Sequence, residues 1–231
     1  MMRALDIGTS LLATAARFGA GVTVTELGPR PEQPLVLYDF EACPYCRKAR
    51  EALSVLDLPV FVYPCPQGGP RYRPWVTRHG GKTQFPFLRD PNTDTDLYES
   101  DDIVRYLFAT YGAGDPPWWL TLPLATDVTS GLASLARITR GRAYRPAREP
   151  EQPLLLWSFE ASPFCRLARE TLCELELPYL LHNVAKGSPE RDAFVRRSGR
   201  MMVPYLEDPN TDTRLFESAD ICAYLEETYA T

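Results

Sequence analysis

Cys43 and Cys46, in the run Cys43-Pro44-Tyr45-Cys46, carry the strongest chemical signal in the chain. The short apolar run Leu35 to Tyr38 suits a buried strand, and Pro44 suits a first helical turn, so Cys43 falls at a helix cap with Cys46 three residues on, on the same side. Unpaired N–H groups and the helix dipole stabilise a thiolate at such a cap. The pair therefore suits thiol–disulfide exchange, with Cys43 as nucleophile and Cys46 as resolving thiol. The competing reading is a metal pair, but no second close pair completes a zinc site, and no metal is expected. Cys65, after the second strand, is either a third redox thiol or incidental; Cys173 and Cys222 fall in helical stretches and read as core.

These residues sit within an internal duplication with a period of about 120 residues. Gln33-Pro-Leu-Val-Leu-Tyr-Asp-Phe-Glu-Ala-Cys-Pro-Tyr-Cys-Arg returns as Gln152-Pro-Leu-Leu-Leu-Trp-Ser-Phe-Glu-Ala-Ser-Pro-Phe-Cys-Arg, and Asp90-Pro-Asn-Thr-Asp-Thr as Asp208-Pro-Asn-Thr-Asp-Thr. One residue is lost in between, placed near Gly81. Each copy reads strand, helix, strand, helix, strand, strand, helix, with Cys46, Ala49, Leu53 and Leu56 as the inner face of the first helix. The Asp-Pro-Asn-Thr-Asp-Thr turn joins a hairpin, and Ser100 and Ser218 are expected to cap the last helix of each copy. Ala4 to Phe18 and Ala125 to Ile138 are expected as an extra helix before each copy. Gly112 to Pro117 and Ala143 to Pro153 are expected as linkers, and Trp118-Trp119 as buried between the copies. The domains are drawn at 1–117 and 118–231.

Cys43-Pro44-Tyr45-Cys46 after a strand, Phe85-Pro86 before the hairpin and Glu99-Ser100 opening the last helix resemble the glutaredoxins and the thioredoxin-like N-terminal domain of glutathione S-transferases. The second copy shows the signature as Ser162-Pro163-Phe164-Cys165, Val203-Pro204 and Glu217-Ser218. The resemblance implies an α/β chain of two tandem thioredoxin-like domains, each with a small mixed four-stranded sheet. It implies glutathione as cosubstrate, cis bonds before Pro86 and Pro204, and pairing of the Phe85 and Val203 backbone with the ligand's cysteinyl part. It also implies that Glu99-Ser100 and Glu217-Ser218 hold the γ-glutamyl end, with Tyr45 and Ser162 beside the sulfur. Ser162, replacing the nucleophile, could only donate a hydrogen bond to a bound thiolate. Glu41 and Glu160 stand where many glutaredoxins carry a basic residue, and a carboxylate there opposes a thiolate.

Thirty acidic against twenty-five basic residues, a net charge of −5 and no basic run argue against nucleic acid. No apolar stretch approaches the roughly 20 residues of a membrane span, and no secretory signal is legible, so a reducing cytoplasm is expected. The function expected is a glutathione-linked thiol–disulfide oxidoreductase acting on a protein or small-molecule disulfide. The alternatives are a glutathione S-transferase-like transferase or isomerase, and a non-catalytic thioredoxin-fold binding module.

Overall fold

The computed structural model describes residues 21–25, 27–121 and 140–231. Both expected lead helices, 4–18 and 125–138, lie outside the described residues. The first half runs β1 (Leu35–Asp39), α1 (Pro44–Val55), β2 (Val60–Pro64), α2 (Tyr72–Gly80), β3 (Phe87–Asp90), β4 (Thr95–Leu97) and α3 (Ser100–Tyr111). After a short α4 (Trp118–Thr121), the second half repeats the order as β5 (Leu154–Ser158), α5 (Pro163–Glu174), β6 (Tyr179–Asn183), α6 (Arg191–Ser198), β7 (Tyr205–Asp208), β8 (Thr213–Phe216) and α7 (Ser218–Tyr229). Pro44 and Pro163 open α1 and α5 at positions whose N–H has no helical partner. Gly81 and Gly199 stop α2 and α6 at φ 74° and 85°, where a side chain is disfavoured.

In each half the middle strands are parallel and the hairpin is antiparallel: β1 pairs with β2 and β3, and β5 with β6 and β7. The expected pair of separate four-stranded sheets is replaced by one eight-stranded sheet, ordered β4-β3-β1-β2-β6-β5-β7-β8. The join is antiparallel, with Val60 opposite Leu181, Phe61 opposite Leu180 and Val62 opposite Tyr179. Phe61 and Leu180 are equivalent in the two copies, so the halves meet about a local two-fold axis. The pairing satisfies two strand edges that would otherwise expose unpaired N–H and C=O groups.

Helices α1 and α3, and α5 and α7, pack on one face of this sheet over a single apolar cluster that includes Leu37, Leu53, Leu107, Leu156, Leu172 and Leu225. Separate aromatic clusters form around Tyr38, Val76 and Phe87 with Trp75, and around Trp157, Phe194 and Tyr205. The expected inner face of α1 is buried, but so is its other side: Arg47, Lys48, Arg50, Glu51 and Ser54 all lie against neighbours. Arg47, Arg50 and Ser54 are covered because the sheet continues into the second half, whose loop carries Glu160 against them, while Lys48 pairs with Asp101 of α3.

Other expectations change for equally local reasons. The segment 143–153 is not a free linker, because Tyr144 N–H donates to Gln67 O, Arg145 N–H to Glu174 O and Arg148 N–H to Tyr229 O. Trp118 is 71% exposed, while Trp119 is half-buried against the core and Leu120 is fully buried. The missing residue lies ahead of Arg73 rather than near Gly81: Arg73 donates to Cys65 O and Pro66 O, and Arg191 to the equivalent Val184 O and Ala185 O.

The repeated turn anchors the last helix of each half. Asp90 accepts from Tyr106 and Tyr111 hydroxyls at 2.6 and 2.5 Å and from Asn92; Asp208 accepts from Tyr224, Tyr229 and Asn210 in the same way. Burial pushes both carboxyls up, yet the hydrogen bonds outweigh it and hold them below their ordinary value.

Asp57 behaves oppositely. It is buried at the seam between the halves, and burial pushes its carboxyl up to about 6 despite Arg30 and Arg191 nearby. Its value in the unfolded chain is about 4. The folded state therefore holds that proton more tightly, and stability is lost as pH rises from about 4 through 6. Asp57 also adopts φ 54°, which asparagine tolerates. Asp57→Asn is expected to stabilise the protein at pH 8 by about 1–2 kcal/mol, with the gain closing towards pH 4. Thermal melts of both proteins across that range check it.

Candidate active site

β1 ends at Asp39, and the loop of Phe40 to Ala42 turns the chain into α1. Cys43 takes the cap position in extended conformation, φ −78° and ψ 123°, and its Sγ accepts from Cys46 N–H at 3.3 Å. Cys43 is 5% exposed and Cys46 fully buried, while Tyr45 stands 51% exposed beside them. The hydrogen bond from the Cys46 side chain lowers the Cys43 thiol's pKa; burial opposes this, and the Cys46 backbone N–H and the Arg50 charge add to the lowering. Burial pushes Cys46 well up, reinforced by the neighbouring Cys43. One thiol is thus primed to ionise and its partner to hold its proton, as exchange between them requires.

Glu41 was expected to oppose this thiolate. Instead its carboxylate is gripped by Arg169 from α5, at 3.0 and 3.2 Å, with Arg50 at 3.4 Å. Glu160, its counterpart, meets Arg50 at 3.1 Å and Arg169 at 2.9 Å, and is held at about 2 because these arginines outweigh its burial. Both carboxylates are therefore neutralised within the seam.

Cys43 opens on a cleft of ≈ 660 Å³. Tyr45, Phe85, Pro86, Glu99 and Ser100 all line it, so the structure brings the first-copy candidates together, with Cys46 directly beneath. The bonds Phe85-Pro86 and Val203-Pro204 are both cis. Ser100 is the first residue of α3, not its cap; Glu99 holds the cap position at φ 63° and ψ 118° and makes no side-chain capping bond. Its equivalent Glu217 does the same before Ser218, at φ 65°. A non-glycine residue there costs on the order of 1–3 kcal/mol, and such strain concentrates at functional sites. Gln84 Nε2 donates to Glu99 Oε1 at 2.5 Å and fixes that carboxylate in the cleft.

Sequence reasoning missed the cleft's basic wall. Arg73 stacks its guanidinium over the Phe85 and Phe40 rings, 4.7 and 5.4 Å from their centroids. Its counterpart Arg191 was a usable signal, hidden by the misplaced gap. Arg142 enters from the stretch of the second half ahead of β5, where a parallel bridge of Gln67 to Ala143 brings it across, and its Nε donates to Gln67 Oε1 at 3.2 Å. No local motif announces that crossing.

In the second half, Ser162 caps α5 and accepts from Cys165 N–H at 3.2 Å, reproducing the Cys43 geometry without its thiol. Cys165 is fully buried. Lys186 replaces Gln67, Met201 and Met202 replace Thr83 and Gln84, and Val22 stands at the position of Arg142. Val203, Pro204, Glu217 and Ser218 keep the first-half backbone pattern. Cys65 is fully buried and burial pushes its thiol well up, which holds it protonated. Among the described residues no group of three or more His, Cys, Asp or Glu side chains is arranged to hold a metal, and no helix is long and apolar enough to cross a membrane.

No curated protein sequence matches the chain. Among solved structures, a trimeric glutathione transferase of Leishmania is similar at 14% identity, covering 85% of this chain and 68% of its own, with a TM-score of 0.30. The family described as "Glutathione S-transferase, N-terminal domain" matches residues 37–117 and 156–231. These two stretches take in more than half of the chain, each with its own cysteine- or serine-capped helix, and the chain belongs to that family.

Proposed function

We propose that the chain is a glutathione-linked thiol–disulfide oxidoreductase whose chemistry is confined to residues 1–117, while residues 118–231 support it. The observation that carries this reading is the opposed pair at the α1 cap, an acidified Cys43 over a buried, proton-holding Cys46, facing a cleft with anion-binding groups at both ends.

Glutathione has two carboxylates and one amine. Its γ-glutamyl carboxylate fits the α3 N-terminus at Ser100, where N–H groups lack helical partners, and its amine fits the Glu99 carboxylate. The Phe85 backbone lies beside Cys43 for the cysteinyl part. Arg142, with Gln67 and Arg73, supplies positive charge for the glycyl carboxylate. In the exchange, the Cys43 thiolate attacks a glutathione mixed disulfide, forms Cys43–S–S–glutathione and releases the substrate thiolate. Cys46 then gives up its proton and attacks Cys43 Sγ, closing the Cys43–Cys46 disulfide and expelling glutathione as thiolate. Two further glutathione molecules restore the dithiol and leave as glutathione disulfide. A reducing cytoplasm supplies that reductant, and a protein or small-molecule disulfide is the substrate class.

The same groups are altered in the second half, where Ser162 cannot form a disulfide and a hydroxyl without an adjacent base stays protonated. Membership of the transferase family favours a second reading, transfer of bound glutathione to an electrophile.

Cys43→Ser separates the two: disulfide reduction is expected to fall to background, and retention of conjugation to an electrophile by that variant would favour the transferase. Cys46→Ser is expected to stop at the first step and accumulate glutathione on Cys43, seen as an added glutathione mass. Arg142→Ala is expected to raise KM for glutathione about tenfold while leaving kcat within about twofold, as the loss of one charge-assisted carboxylate contact predicts. Steady-state kinetics check the split.

A further inference from the structure

The two residues immediately before Cys43 are held largely by the second half. Arg169 takes the Glu41 carboxylate in a two-point grip, Glu41 N–H approaches Cys173 Sγ at 3.4 Å, and Ala42 N–H donates to Gly141 O at 3.3 Å. From the first half, Arg50 Nη2 donates to Glu41 O at 3.2 Å, and Phe40 is held by the Cys43 N–H bond to its carbonyl at 3.1 Å and by the Phe85 and Arg73 side chains. Arg50 also binds Asp39 at the end of β1 and, through Nε, Glu160 of the second half at 3.1 Å. It lies one helical turn beyond Cys46 and seven residues from the Cys43 cap.

We propose that the second half is a fused positioning element for Cys43, acting through Arg169 on the Glu41 carboxylate and through Glu160 on Arg50. The proposal rests on Cys43 being the nucleophile, and goes beyond it by giving the thiol-less copy a role in the first copy's chemistry.

The charge logic gives the two contacts opposite signs. Arg50 is a cation that favours the Cys43 thiolate. Glu160 draws on that cation from across the seam. Arg169 relieves it, because a Glu41 carboxylate occupied by Arg169 makes less demand on Arg50. The other charges in the seam are symmetric about the axis: on α1, Arg47 meets Glu51 at 3.1 Å and approaches Glu160 at 4.0 Å; on α5, Arg166 approaches Glu41 at 3.9 Å, with Glu170 beside it on the same helix. Two further carboxylates are Asp39, bound to Arg50, and Glu174, which accepts from Gly141 N–H at 2.8 Å, while Cys46 and Cys173 are thiols that burial keeps protonated. Removing the Arg169 charge therefore releases Glu41 onto Arg50 and disfavours the thiolate. Removing the Glu160 charge frees Arg50 and favours it. A purely structural role would give no reason for opposite signs.

The test is the pH dependence of Cys43 alkylation by iodoacetamide in the full chain, located by peptide mass mapping. Arg169→Gln is expected to raise the pH of half-maximal alkylation and Glu160→Gln to lower it, each corresponding to an about three- to tenfold change in thiolate at a fixed pH below the midpoint. Arg169→Lys, which keeps the charge, is expected to restore most of the wild-type profile. Unmoved midpoints in folded variants, or shifts of the same sign, overturn the proposal. If Arg169→Gln does not fold, the direction of the Glu160→Gln shift decides. A wild-type midpoint at or above that of a free thiol, with labelling undiminished in Cys43→Ser, would instead remove the nucleophile assignment itself.

Discussion

The pairing of β2 with β6 is the constraint from which the rest of the architecture follows. Three residues on each side, centred on Phe61 and Leu180, turn two sheets of four into one of eight. That register brings the first helices of the two halves into one seam, where their outward faces have no water to meet. An arginine placed there loses its hydration and must find a carboxylate. The chain meets that demand reciprocally: Arg50 reaches Glu160, and Arg169 reaches Glu41. Apolar packing alone would have allowed the halves to slide; two-point guanidinium–carboxylate contacts accept one geometry.

This seam also shows how an acidic residue is accommodated two positions before Cys43. In isolation Glu41 would repel both a thiolate and an anionic substrate. With Arg169 on its carboxylate and Arg50 on its carbonyl, it becomes a strut for the loop. The site is thus built from two layers, the helix-cap geometry within the first half and a charge frame half of which belongs to the second. Arg142 extends the pattern, since it enters the first cleft from the stretch of the second half ahead of β5.

Much of this was legible from residue patterns, and the limits have identifiable causes. The order of strands and helices, the cap at Cys43, and the positions of Phe85-Pro86 and Glu99-Ser100 all follow from local signals of apolar runs, proline and turn residues. Periodicity identified Cys46, Ala49, Leu53 and Leu56 as an inner face but gave no sign that Arg47, Lys48, Arg50 and Glu51 are buried as well, because charge in a helix usually means solvent. Arg47 and Arg50 are covered through the edge pairing, which brings Glu160 against them, and edge pairing leaves no local mark: a strand of Val60 to Pro64 reads the same whether its outer edge is free or joined. Serine before a helix likewise reads as a cap, whereas here the strained Glu99 holds that position and Ser100 begins the helix.

Comparison of the two halves separates what the fold needs from what the site needs. The aspartate that ties its turn to two tyrosines, the arginine that holds two carbonyls after the second strand, the cis proline bond and the strained glutamate occur in both. So do the seam residues Glu41 and Glu160, Arg47 and Arg166, Arg50 and Arg169, since each copy's pair serves the other copy. What differs surrounds the sulfur: Cys43 becomes Ser162, Asp39 becomes Ser158, Gln84 becomes Met202 and Arg142 gives way to Val22. Asp39 is replaced along with Cys43; it is buried, and burial raises its pKa even with Arg50 bound to it. Ser158 meets the same arginine position with a neutral hydroxyl, accepting from Arg169 at 3.2 Å. The buried acid is thus confined to the half with the thiol pair, whereas the arginine is kept in both, and Arg169 grips the Glu41 carboxylate of the loop that carries Cys43.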